Sequence, residues 1–156
     1  MVAARAGATG YSETSVGFAE RIRQEPAFAA FWLLRAGFVV LPIWMGADKF
    51  FNSLTDWPDY LAPWIVRLVP FSAQTTMDIV GVVEIVAGIA IAVKPRYAAY
   101  VVAIWLASII VNLLTLSGHD DVALRDVGLM VAALALAQLA RTYDPPFGHT
   151  TSAGRA

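Results

Sequence analysis

Four runs of apolar residues, each long enough to cross a lipid bilayer, constrain this chain more than any other feature. They lie at about 30–51, 77–93, 97–117 and 122–140. An α-helix needs about 20 apolar residues to cross the hydrocarbon core of a bilayer. A chain of 156 residues has too little polar sequence to cover four such helices with a soluble shell. We therefore expect an all-α protein, an integral membrane four-helix bundle with a long outer loop between helices 1 and 2.

The composition narrows the classes of function. Hydrophobic residues make up 58% of the chain and charged residues 15%, against roughly 45–50% and about 25% in ordinary soluble domains. The net charge of −1 argues against a nucleic-acid-binding protein, whose phosphate contacts need a basic surface. The sequence has no cysteine, which excludes disulfide scaffolds, thiol redox catalysis and thiolate metal sites. The expected partner is the lipid bilayer.

The sequence divides into three parts. Residues 1–29 mix small, polar and charged side chains, which predicts a cytoplasmic segment that is disordered to about residue 11 or interfacial, with a short helix at 16–24. Residues 30–140 form the transmembrane domain. Residues 141–156 contain two prolines and no apolar periodicity, which predicts a flexible cytoplasmic tail.

The distribution of basic residues predicts the orientation. Four spans put both termini on the same side, with seven Lys and Arg residues there and three on the other side. Positively charged residues stay in the cytoplasm, so we expect both termini to be cytoplasmic and the protein to lie in the cell inner (plasma) membrane. The seven are Arg5, Arg21, Arg23, Lys94, Arg96, Arg141 and Arg155, and the three are Lys49, Arg67 and Arg125.

The loop at 52–76 is rich in aromatic residues and proline. It contains Trp57, Tyr60, Trp64 and Phe71, and its apolar part is too short to span a bilayer. Aromatic side chains are common at headgroup depth, which favours an interfacial or re-entrant segment. Two roles stay open for this loop, a packed lid over the bundle and an element that guides a substrate.

Polar residues inside the spans are the strongest functional signal. A charge near the bilayer centre costs about 2.5 kcal/mol or more unless it is paired or hydrated. Glu84 shares a helix face with Gly81 and Gly88, so we expect it to point into the bundle. Each span offers such a residue towards its outer end. We predict a cluster of Lys49, Glu84, Asn112 and Asp126, with Asp48 and Arg125 near its mouth. In the inner half, two arrangements stay open for Arg35: it neighbours Gln138, or it extends to the inner headgroups.

The residues leave four interpretations of this cluster open: a hydrogen-bonded network that fixes helix register, a site for a ligand or quinone headgroup, proton or ion handling, and a metal site. The weak metal candidate is His119, which lies beside Asp120 and Asp121. Asp120 or Asp121 equally suits the N-cap of the fourth helix, and Asp121 suits a helical pair with Arg125. No nucleophile–base arrangement is visible, so no self-contained catalytic constellation is predicted and the catalytic residues are unknown.

Small residues at helical spacing predict close packing between spans. The third span has Ala99, Ala103 and Ala107, and the fourth has Gly128 and Ala132. We expect these faces to support a compact bundle.

Several of these residues together resemble the DoxX-like family of four-helix integral membrane proteins. Residues Arg35–Gly37 and Gly46–Phe50 are similar to that family's early Arg and Gly and its later Gly and Lys. Glu84–Gly88 is similar to its glutamate followed by small residues, and Pro95–Ala99 to its short basic turn into an alanine-rich third helix. The resemblance covers about 30–140.

The resemblance implies a subunit of a larger assembly, since relatives occur in thiosulfate:quinone oxidoreductase and in membrane oxidoreductase assemblies linked to oxidative stress. It implies an accessory or quinone-interacting component of a membrane redox complex, with quinone as the ligand and no covalent cofactor. Lys49 and Glu84 are the residues expected to carry the site. Two other functions stay open: a non-catalytic structural or assembly subunit that binds other membrane subunits or itself, and a small transporter.

Overall fold

Helices account for all regular secondary structure in residues 17–116 and 118–144, the part of the chain that the computed structural model describes. The expected all-α fold is therefore confirmed. The predictions for 1–16 and 145–156, which include Arg5 and Arg155, lie outside the described residues. In chain order the helices are α1 (Phe18–Gln24), α2 (Pro26–Asp48), a 3-10 turn (Trp57–Tyr60), α3 (Pro63–Leu68), α4 (Ala73–Val93), α5 (Pro95–Leu114) and α6 (Asp120–Tyr143).

The four predicted spans correspond to α2, α4, α5 and α6, each long and apolar enough to cross a membrane. Each helix begins two to four residues before its predicted span, because prolines and polar caps extend a helix beyond its apolar part. Pro26 and Pro95 open α2 and α5, and the Ser72 hydroxyl accepts the Thr75 N–H at 3.1 Å to cap α4. Helix α6 continues to Tyr143, past the predicted end of the transmembrane domain.

The long helices pack as two close pairs. Helix α2 packs most extensively on α4 and α5 on α6, and contacts of α2 with α6 and of α4 with α5 join the pairs into one bundle. Where α2 crosses α4, a Cβ on Gly46 or Gly81 would lie 2.5 Å from the carbonyl oxygen of the other. A Cβ on Gly88 would lie 2.7 Å from Ile43 Cγ1. The glycines of α4 therefore let two backbones touch, which brings the side chains beside them together.

The small-residue prediction holds for α5 and for only one face of α6. Ala99 and Ala103 of α5 are buried, and so is Ala133 of α6. Gly128 is exposed, and a Cβ on it would meet nothing within 4 Å. The reason is helical phase: Asp126 and Ala133 are seven residues apart and face inward, which turns Gly128 outward.

The outward faces of the bundle carry large apolar side chains. Leu33 of α2, Val86 of α4, Ile104 of α5 and Leu124 of α6 are each more than half exposed. A protein in water rarely exposes so much contiguous apolar surface, whereas lipid covers it without cost. The chain has the architecture of a multi-pass membrane protein.

The two ends of the bundle differ. At one end, the lid end, residues 49–72 join α2 to α4. We call residues 52–72 the lid segment; it contains the 3-10 turn and α3, and its Leu61 and Ala62 are buried. At the other end, the basic end, α1 packs against α2, and the single residue Lys94 joins α4 to α5. The lid segment packs on the bundle as a lid, and a guiding role stays a prediction.

Helix α1 lies within the stretch predicted as a short helix and is held at the basic end by Arg21. The Arg21 Nε donates to Glu25 Oε1 at 2.9 Å, and this hydrogen bond raises the pKa of the Arg21 guanidinium. The guanidinium also stacks on the rings of Phe28, at 4.2 Å, and Tyr143, at 5.7 Å. One side chain thereby joins α1, the first turn of α2 and the last turn of α6.

Candidate functional site

A buried ion pair between α2 and α4 lies at the centre of the candidate site. Lys49 Nζ donates to Glu84 Oε2 at 2.7 Å, and the two side chains are 5% and 15% exposed. Lys49 follows the last residue of α2, and Glu84 lies near the middle of α4. Side chains lean towards the N-terminus of their own helix, so on antiparallel helices these two converge. The predicted contact between Lys49 and Glu84 is present.

Asp126 of α6 adds a second acid beside this pair. It is 7% exposed and interacts electrostatically with both Lys49 and Glu84. Arg125 Nε lies 3.6 Å from Asp126 Oδ1, and among the described residues Arg125 pairs with Asp126 rather than with Asp121 as predicted. The Arg125 side chain is largely exposed. The interior of the cluster thus holds two acids and one base, with a second base at its rim.

An aromatic ring of the lid segment covers the ion pair. The sequence predicted this ring at headgroup depth and did not predict its contact with Lys49. Lys49 Nζ lies 3.8 Å from the centroid of the Trp57 ring, a cation–π contact. Trp57 Nε1 donates to Asp48 Oδ2 at 2.8 Å, and the same oxygen accepts the Leu54 N–H at 3.1 Å. Asp48 therefore binds the lid segment and holds the indole over Lys49.

Asn112 of α5 binds the lid segment instead of the charged cluster. Its Oδ1 accepts the Ala62 N–H at 2.9 Å, and its Nδ2 donates to the Tyr60 carbonyl at 2.7 Å. These backbone groups flank the buried Leu61 and would otherwise lack partners away from water. No hydrogen bond joins Asn112 to Lys49 or to the acids of the cluster within the described part of the chain. The structure therefore makes Asn112 an anchor of the lid, which differs from the predicted cluster.

Gln74, in the first turn of α4, is a connector that the sequence analysis missed. Its Nε2 donates to the Lys49 carbonyl at 3.0 Å and to Asp78 Oδ1 at 2.8 Å, and its Oε1 accepts from Asn52 Nδ2 at 2.8 Å. It ties the end of α2 and the start of the lid segment to α4. The sequence signal was faint, because Gln74 precedes the apolar run from which the span was predicted.

His119 lies at the turn before α6, with its ring against the Tyr60 ring at a centroid distance of 4.8 Å. It occupies the N-cap position of α6, so neither Asp120 nor Asp121 is the N-cap as predicted. Both aspartates lie in the first helical turn, where negative charge is stabilised by the helix dipole. Among residues 17–116 and 118–144, no three His, Asp or Glu side chains are arranged to hold a metal ion.

Arg35 and Gln138, predicted as neighbours, bind different partners. Arg35 Nη2 donates to the Ala92 carbonyl near the end of α4, and its guanidinium stacks on Trp32 at 4.9 Å. Gln138 is exposed, and its Oε1 accepts from Arg141 Nη1 at 3.2 Å. The reason is again helical phase, because Gln138 lies on the outward face of α6. Arg35 satisfies a helix-terminal carbonyl instead.

An open apolar groove of about 530 Å³ follows the outside of α2, passes Asp48 and reaches Leu54 of the lid segment. Its walls are mostly aliphatic and aromatic, from Val39 in α2 to Phe51 beyond the helix end. Lys49 does not line it. Trp57 contacts both Asp48 and Lys49, so this indole connects the groove with the buried ion pair.

Comparison with known proteins assigns no function to this site. No protein-family model matches the chain, and no curated protein or solved structure matches it. A buried acid–base pair, a second buried acid and an indole over the ammonium can bind a polar headgroup or hold a proton on a carboxylate. The protein is a four-helix, multi-pass membrane bundle with a charged cluster enclosed beneath its lid segment.

Proposed function

We propose that the protein is a DoxX-like accessory subunit of a membrane redox complex that interacts with quinone. The observation that carries this proposal is the buried Lys49–Glu84 ion pair, with Trp57 over the ammonium and the buried Asp126 as a second acid of the cluster. Charged side chains inside a membrane are costly even when they are paired, and they commonly mark a functional site. A quinone head presents two carbonyl oxygens that accept hydrogen bonds, and its reduction takes up protons. The cluster offers both a donor and proton-carrying carboxylates.

The residues present fit such a headgroup. The Lys49 ammonium has three N–H donors. One of them donates to Glu84, and the others are available to a quinone carbonyl. The Trp57 ring offers a flat surface for stacking. The groove along α2 offers an apolar path for an isoprenoid tail that opens towards lipid. A head that arrives along this groove meets Asp48 first, and displacement of Trp57 then opens the way to Lys49.

The charge distribution supports the proposed orientation. The described Lys and Arg residues are concentrated at the basic end, and the positive-inside rule favours a cytoplasmic position for that end and both termini. The lid segment then lies outside. The sequence has no cysteine and its spans have no histidine, the usual ligands of iron–sulfur clusters and haem. Electrons would therefore come from a partner subunit.

Binding of a short-chain quinone analogue to the purified protein in lipid nanodiscs tests this function. The chain has five tryptophans, so quenching of tryptophan fluorescence that is lost in the Trp57→Phe variant reports binding near Trp57. We expect Glu84→Gln to weaken the affinity about tenfold or more, because Glu84 positions the Lys49 ammonium and a misplaced charged donor loses a hydrogen bond of about 1.5–3 kcal/mol to the quinone carbonyl. Asp78→Asn is the matched control, because it removes a carboxylate from the same helix outside the ion pair, and it should leave the affinity unchanged. Equal affinity of the Glu84→Gln variant and the wild type would rule out the proposed site.

A second function, a non-catalytic structural or assembly subunit, is favoured by one observation. Gly128 is exposed on α6 with open space beside it, and Ala132 one turn on is partly exposed. Small side chains on an outward face allow another helix to approach closely. Under this function Gly128→Leu releases the partner from a complex isolated in mild detergent, and Glu84→Gln does not.

A small transporter has less support. Residues 85–93 of α4, between Glu84 and the basic end, are all apolar, so this helix offers no polar step towards that end.

A further inference from the structure

We propose that the basic end binds an anionic phospholipid in a groove between α4 and α5. This proposal does not depend on the quinone proposal, because the groove lies at the opposite end of the bundle from the charged cluster. The groove measures about 310 Å³, is open to the side and has apolar walls. It is lined by Ala90, Val93, Lys94, Tyr97, Ala98 and Val101.

Charge at this end exceeds what its carboxylates can neutralise. The described residues there include six basic and three acidic side chains, whereas the lid end has three basic and eight acidic ones. Two of the three acids are already engaged, Glu25 by Arg21 and Asp144 by Lys94. Four guanidinium groups have no carboxylate partner among the described residues. They belong to Arg23, Arg35, Arg96 and Arg141.

One of these guanidinium groups, that of Arg96, lies beside the groove. Arg96 Nη1 donates to the Arg141 carbonyl at 3.4 Å, and Arg96 Cζ lies 6.0 Å from the centroid of the Tyr97 ring, which lines the groove. Asp144 accepts from the Arg96 backbone N–H at 3.3 Å and from Lys94 Nζ at 3.1 Å. The α4–α5 junction is thereby fixed to the end of α6, and the Arg96 guanidinium lies between the Arg141 carbonyl and the Tyr97 ring of the groove.

A phospholipid matches this arrangement in both of its parts. An acyl chain fits a groove whose walls are apolar and face lipid, and a phosphate fits arginine side chains, which recognise it with paired donors. Basic pockets between spans at one membrane surface recognise anionic headgroups in this way. A free phosphate ion would bind the arginine side chain but has no apolar part to fill the groove. The acidic lid end would repel the same lipid from the other leaflet.

Native mass spectrometry of the full chain, with phosphatidylglycerol or phosphatidylcholine added in detergent, tests the proposal. We expect preferential retention of phosphatidylglycerol. Arg96→Gln should bind it about fivefold more weakly, the effect of one arginine near the headgroup. Arg67→Gln, which removes an exposed arginine from the lid end, is the matched control and should bind like the wild type.

Thermal unfolding in phosphatidylcholine alone shows whether each variant folds. If Arg96→Gln does not, Arg96→Lys decides, because a lysine keeps the charge and lacks the paired donors of arginine, and it should still weaken the binding of phosphatidylglycerol. Equal retention of the two lipids, or an equal loss in Arg67→Gln, would overturn the proposal. So would inorganic phosphate that protects the protein against unfolding as well as phosphatidylglycerol does, since the site would then take an ion and not a lipid.

Discussion

The contact between Lys49 and Glu84 shows how much depends on one buried pair of side chains. Each charge is tolerated inside an apolar bundle because the other lies 2.7 Å away. Breaking a buried pair by removing one partner usually costs about 3–5 kcal/mol, since the remaining charge is left uncompensated. Replacing both partners by uncharged groups often costs little.

We therefore expect Glu84→Gln and Lys49→Met each to lower the free energy of unfolding by about 3 kcal/mol. The double variant should be far less destabilised than the sum of the two. Unfolding in mixed micelles with increasing denaturing detergent measures all four proteins of this double-mutant cycle. Additive losses would mean that the two side chains do not interact in the folded protein.

Asn112 supports the lid segment through two hydrogen bonds to backbone. We expect Asn112→Ala to leave the Ala62 N–H and the Tyr60 carbonyl unpaired, at about 1–3 kcal/mol each, and to speed hydrogen exchange in the lid segment. Ser108→Ala, one turn earlier on α5, is the control because the Ser108 hydroxyl donates only to the Trp105 carbonyl of its own helix. Unchanged exchange in the Asn112→Ala variant would contradict the anchoring role.

Some of these residue contacts could be predicted and others could not. The inward direction of Glu84 followed from the small residues on its own helix face, a local pattern that the sequence contains. The partners of Asn112 and the position of Trp57 depend on the path of the lid segment. That path is set by contacts between residues far apart in the chain, such as Trp57 with Asp48 and Asn112 with Ala62, which periodicity does not encode.

At the scale of helices, the crossing of α2 and α4 positions the site. A Cβ on Gly81 would lie 2.5 Å from the Gly46 carbonyl oxygen and 3.2 Å from Lys49 Cβ. Gly81→Ala should therefore push the two helices apart, destabilise the bundle by about 1–3 kcal/mol as overpacking does, and weaken the Lys49–Glu84 contact. Thermal unfolding in detergent measures the loss.

Gly128→Ala is the matched control for this change. It adds the same methyl group to a helical glycine with open space around it, and the higher helix propensity of alanine should stabilise α6 by about 0.5–1 kcal/mol. Equal destabilisation by both substitutions would show that backbone contact between α2 and α4 does not hold the bundle together.

The presence of four long helices could be predicted from the sequence. Where each helix begins, and how deep its polar residues lie, was predicted less accurately. Four apolar runs sufficed to locate four helices, because length and hydropathy are local properties. The beginning of α4 was predicted four residues late, since the polar first turn that Ser72 caps carries no hydropathy signal. The same difference places Glu84 near the middle of its helix and deeper than the sequence predicted.

At the scale of the whole molecule, the two ends carry opposite charge, and this asymmetry predicts the orientation in the membrane. The sequence has no cysteine, so single cysteines can be introduced without background. We expect Ser53→Cys, in the exposed lid segment, to react with a membrane-impermeant maleimide on intact cells. Thr142→Cys, at the exposed end of α6, should react only after the membrane is permeabilised. The reverse pattern of labelling would mean that the basic end faces outward.

The central claim is that Lys49 and Glu84 meet inside the bundle when the protein lies in a bilayer, and solid-state NMR tests it most directly. The chain contains two lysines, and Lys94 pairs with an aspartate. With ¹⁵Nζ-lysine and ¹³Cδ-glutamate labels, dipolar dephasing of a lysine that disappears in Glu84→Gln reports the Lys49–Glu84 contact. We predict that one of the two lysine signals is strongly dephased, as a 2.7 Å N···O contact requires, and that Glu84→Gln abolishes the effect. Dephasing of neither lysine in the wild-type protein would contradict the enclosed ion pair and the site built on it.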